Sequence, residues 1–60
     1  METSETEFIQ RGHHFLGLGL ISQALDSFHS ALSINNQSVE ASYGIGLTYK
    51  QTHNFEQALI

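Results

Sequence analysis

The chain has 60 residues, no cysteine and no proline, and a formal net charge of −4, with Arg11 and Lys50 as its fixed cations. A chain of this length buries roughly 60% of the surface its unfolded state exposes, so it makes one small domain, and without cysteine no disulfide or thiolate zinc site can reinforce it. So few cations argue against the phosphate contacts of nucleic acid and against an anionic membrane surface, and no apolar run approaches the roughly 20 residues of a membrane span.

The N-terminal stretch METSETEF is acidic and polar and does not read as a secretory signal. With the absence of cysteine, this makes the cytoplasm the expected compartment. Phe8, Gly12 and Phe15 recur at intervals of four and three, one stripe of an α-helix. Ser4 and Glu7 stand three apart before that stripe and can form a capping box, so the first helix is predicted at about residues 5–18. Gly17 and Gly19 follow, and glycine tolerates the left-handed conformation that ends helices. Ile21, Ala24, Leu25, Phe28, Ala31 and Leu32 form a second, stronger stripe, which predicts a helix at about 21–34. Asn35 to Gln37 close it, since asparagine also accepts the left-handed conformation. Ser38 can cap a third helix at about 39–52 that carries Ile45, Gly46 and Tyr49 inward. Asn54 and Gln57 are again three apart and can start a fourth helix, in the closing segment FEQALI.

An internal repeat links these elements. Sliding the sequence by 34 residues sets Gly12 on Gly46, Gln23 on Gln57, Ala24 on Ala58 and Leu25 on Leu59. Phe15 falls on Tyr49 and Ile21 on Phe55, both conservative. The matches are spaced as one helix face would be, and a fixed period of this length is the mark of a repeat architecture.

The string Phe8, Gly12, Phe15, Gly19, Ile21, Ala24, Leu25, Phe28, Ala31 and Leu32 resembles the tetratricopeptide repeat. The second copy resembles it through Ile45, Gly46, Tyr49, Phe55, Ala58 and Leu59. Four positions depart from the family pattern: Arg11 stands for its leucine, Asn36 for its proline, Ser42 for its opening aromatic and His53 for its turn glycine. The resemblance implies an all-α fold of antiparallel helix–turn–helix repeats, three helices plus the start of a fourth. Repeat 1 would occupy about 5–38 and repeat 2 about 39–60, truncated, in a single domain over 1–60. It also implies an N-terminal piece of a longer protein, because stacked repeats need a polar cap at the end. Phe55, Ala58, Leu59 and Ile60 would otherwise leave a core edge open, which favours self-association or helix exchange.

Other readings of the motifs are weaker. GIGLTY at Gly44–Tyr49 and GLGLIS at Gly17–Ser22 look like phosphate loops, but both lack the third glycine and the preceding strand of a dinucleotide site. Within a helix, Gly46 instead suits a close helix–helix crossing, which would offset its cost of roughly 1 kcal/mol there. His13 and His14 are adjacent, so on a helix they diverge by about 100° and cannot easily share a metal. His29 and His53 read as surface or half-buried polar residues. No serine pairs visibly with a base, and no strained turn presents one. No cofactor, metal or catalytic site is expected.

What remains is interaction. In the resembled family the first helices of successive repeats line a groove that holds a peptide or a partner's helix. Carried onto this sequence, the groove residues are Ile9, His13, Leu16, Tyr43, Leu47 and Lys50. Some members grip a C-terminal carboxylate with Lys and Asn. The matching Ile9, His13, Tyr43 and Leu47 offer no such clamp, so an apolar peptide or helix is the expected ligand. Three readings follow: a non-catalytic docking module, a structural repeat that stacks or self-assembles, or a helical appendage of an enzyme.

Overall fold

The structure, a computed structural model, describes residues 3–58 and the side chains of residues 4–53. Three helices follow in order: α1 over Thr3–Gly17, α2 over Ile21–Ile34 and α3 over Val39–Ala58. The fold is all-α. Asn35 at the end of α2 donates from its amide to Glu5 near the start of α1, at 3.3 Å. Gln51 of α3 donates to the Leu16 carbonyl at the end of α1, at 3.2 Å. Each helix is therefore antiparallel to the one before it, and α1 and α3 run the same way.

The end of α1 is set by backbone chemistry. Gly19 has φ +79°, a conformation that only glycine adopts readily. Its N–H donates to Leu16 C=O at 3.1 Å, and Leu20 N–H reaches back to Phe15 C=O at 2.9 Å. This pair of bonds is a Schellman motif, which satisfies carbonyls the helix leaves without partners. The turn after α2 works differently from expectation. Asn35 is extended (φ −139°, ψ 98°), not left-handed. Its Oδ1 accepts from Gln37 N–H at 3.1 Å, so the asparagine acts through its side chain. Ser38 is buried, and its Oγ accepts from Ala41 N–H at 3.2 Å, the N-cap bond expected of it. At the other end of the chain, α1 begins before Ser4, so Ser4 lies in its first turn.

The expected fourth helix is not a separate element. α3 runs unbroken through Gln51–Asn54 to Ala58. That tetrapeptide holds neither glycine nor proline, so nothing in it favours leaving the helix. Thr52 Oγ1 donates to Thr48 C=O at 3.0 Å, and Thr48 Oγ1 to Gly44 C=O at 2.7 Å. Both hydroxyls are thus satisfied within the helix. The expected core edge at Phe55, Ala58, Leu59 and Ile60 lies outside the described side chains.

The core is built around one ring. Phe28 is 0% exposed, and with it are buried Ile9, Leu16, Ala24, Ala31 and Ala41. Phe8, Phe15, Ile21, Leu32, Ile45 and Leu47 pack partly buried around this cluster. A Cβ added at Gly12 of α1 would stand 2.6 Å from the Phe28 ring, and one at Gly44 of α3 would overlap the same ring. Real carbons do not approach this closely, so the ring occupies the space that two missing side chains leave. Ala24, Ala31 and Ala41, all 0% exposed, extend the same logic: small residues let three backbones close on one aromatic.

This corrects the expectation for Gly46. It is exposed, and a Cβ there would meet nothing within 4 Å. The close crossing is at Gly44, two residues earlier, on nearly the opposite side of the helix at about 100° per residue. Gly46 therefore brings its helix-weakening effect with no packing in return, and Tyr49, also expected inward, is 56% exposed. We expect Gly46→Ala to stabilise the chain by about 1 kcal/mol, raising Tm by about 4–8 °C for a domain of this size. A thermal melt followed by circular dichroism reads this directly, and a lower Tm would place a packing partner over Gly46.

Candidate docking surface

The six residues expected to line a groove separate in the structure. Ile9 and Leu16 are 6% and 8% exposed and belong to the core. Their spacing on α1 points them at the other helices, so Ile9 offers nothing to a partner. His13, between them, is exposed, but its ring stands edge-on to Phe28, with centroids 5.1 Å apart and an interplanar angle of 78°. It closes the core from outside, an arrangement aromatic rings favour.

The α3 residues behave as surface. Tyr43 is 64% exposed, Leu47 is half-buried and Lys50 is exposed. At intervals of four and three they lie along one stripe of the helix. Leu47 and Lys50 meet the edge of Leu16 in a shallow, open hollow between α1 and α3, completed by Gln51. Gln51 was not marked by the sequence pattern. Its signal is its place one turn beyond Leu47, and its role is to hold the two helices in register through the Leu16 carbonyl. The hollow thus has an apolar floor from two leucines, one cation at the rim and an exposed aromatic one turn away. A second open depression lies on the outer face of α1, lined by Glu7, Gln10, Arg11 and His14. Its Arg11 is held over the Phe8 ring at 5.6 Å, a cation–π contact.

Among the described residues, no three of His, Cys, Asp or Glu come together as a metal-binding group. No buried side-chain nitrogen or oxygen among them lacks a hydrogen-bond partner. Also among them, no helix is long and apolar enough to cross a membrane. Comparison with known proteins gave no match: no family model fits the chain, and neither a curated protein nor a solved structure aligns with it.

Proposed function

We propose that this chain is a non-catalytic docking module of tetratricopeptide type, which binds an apolar helix or peptide of a protein partner across the α1–α3 face. The observation that carries this reading is the stripe Tyr43–Leu47–Lys50 standing beside the Leu16 hollow. An exposed aromatic and a half-buried aliphatic side chain with a cation at the edge match the usual anatomy of a binding surface, an apolar centre with a polar rim. The α1–turn–α2 pair with small residues at its crossing supports the family reading; the 34-residue match does not add to it, since Gly12 packs on Phe28 while Gly46 is exposed. A helix seated in such a groove would present anchors at intervals of three and four.

The test uses a displayed library of amphipathic peptides selected on the immobilised chain. Enrichment of a common apolar motif on the wild type, lost on Leu47→Glu and reduced on Tyr43→Ala, is the expected result. Tyr43→Ala changes a side chain with little buried surface, so circular dichroism should show its fold intact. Equal enrichment on all three proteins would remove the α1–α3 face from consideration.

A further inference from the structure

The stripe on α3 begins one turn earlier than the docking surface required. Glu40, Tyr43, Leu47 and Lys50 follow at intervals of three, four and three, which keeps all four on one side of the helix. Glu40 and Lys50 are both exposed. Among the described residues neither has an ion-pair partner. The order is acid, aromatic, aliphatic, base. Read backwards it is base, aliphatic, aromatic, acid, with the same three–four–three spacing. A second copy of the helix laid antiparallel on this side, with the two-fold axis between Tyr43 and Leu47, at the level of Ile45, therefore sets Glu40 against the other copy's Lys50. It also sets Tyr43 against the other copy's Leu47. Both pairs then occur twice, by symmetry.

We infer that the occupant of this face is a second copy of this chain, docked antiparallel through α3. The inference rests on the docking-surface reading and names its partner. Three points carry it. A two-fold interface must be self-complementary, because the same patch serves both copies; this stripe is so in charge and in apolar content. A net charge of −4 makes copies repel in general, so a stripe that sets opposite charges opposite each other also selects this one orientation. The partner needed to neutralise both end charges is dipolar at the spacing of α3 itself. The stripe spans about 15 Å of helix. That is short of a standard interface, so the pair is a weak, concentration-dependent dimer and not an obligate one.

Sedimentation equilibrium on the 60-residue chain tests this through the micromolar range to near-millimolar concentration. The wild type is expected to show a monomer–dimer equilibrium. Glu40→Lys and Lys50→Glu, each alone, place like charges at both symmetric pairs and should raise the dimer Kd about tenfold or more at low salt. High salt should shrink that difference. An equimolar mixture of the two variants restores opposite charges at both pairs in the heterodimer. It should associate as well as the wild type, as should the double variant. A wild type that stays monomeric overturns the inference, as does a pair of single variants that dimerise unchanged. Weakened variants that the mixture does not rescue overturn the antiparallel register. The peptide selection on Leu47→Glu is judged independently, so loss of self-pairing and loss of the docking surface give different results.

Discussion

Phe28→Ala should leave the chain largely unfolded. Truncating a fully buried phenylalanine typically costs about 3–5 kcal/mol, and a domain of this length holds only about 3–9 kcal/mol in all. The ring is 0% exposed and touches all three helices, at Gly12 on α1 and Gly44 on α3 as well as on its own α2. Its loss leaves a void that the neighbouring glycines cannot fill, because they have no side chains to move. Helicity by circular dichroism should collapse, and urea melts should lose their cooperative transition. Native-like melting of Phe28→Ala would mean that the core does not centre on this ring.

Gly44→Leu is the second large effect, and its sign runs against helix propensity. On propensity alone the substitution should help by about 0.8–1 kcal/mol. Here the added Cβ would overlap the Phe28 ring, which has no retreat because Gly12 closes on its other side. Overpacking of a tight core commonly costs about 1–3 kcal/mol and occasionally more, and an entire leucine side chain belongs at the upper end. The net result should be a strong loss of stability, measured by urea denaturation. The cause can be isolated with the smaller change. Gly44→Ala should destabilise the wild type, yet be neutral or stabilising in a Phe28→Leu background, where the ring is gone. A coupling of about 0.5–3 kcal/mol is usual for residues in contact. Additive effects in that cycle would show that the glycine is needed for some reason other than the ring. The contrast with Gly46→Ala is also informative, since the two glycines share a helix and lie two residues apart with opposite expected signs.

The α1–α3 face was only partly legible from residue types. Of the residues that the resemblance carried onto α3, Tyr43 and Lys50 are exposed and Leu47 is half-buried. Ile9 and Leu16 carry the same kind of side chain but are buried. An apolar residue on a helix flank can serve a core or a partner equally well, and only the angle of the neighbouring helix separates the two. Gln51 shows the converse. Nothing in its chemistry marks it, and its use depends on the Leu16 carbonyl 35 positions away in sequence coming within 3.2 Å.

The sequence by itself determined the helical class, the bounds of α2, the glycine turn at Gly17–Gly19, the cap at Ser38 and the Ala24–Phe28–Ala31 core stripe. Each of these is a local property: a period of 3.6, a residue that tolerates positive φ, or a hydroxyl three residues from an N–H. Tertiary structure decided how α3 is turned about its axis. Apolar residues alternate along its first half, at Val39, Ala41, Tyr43, Ile45, Leu47 and Tyr49, and so surround the helix without marking one face. Its two glycines carry no side chain and add nothing to the pattern. The choice between Gly44 and Gly46 fell to the Phe28 ring, which fits against one of them only. The continuation through Gln51–Asn54 is local again, with no glycine or proline in the tetrapeptide and Thr52 bonded back to Thr48, whereas the seat of Gln51 on the end of α1 exists only in the tertiary structure. Periodicity names the residues that must be buried, but rotation about a helix axis has no energy until a second helix is there to pack against.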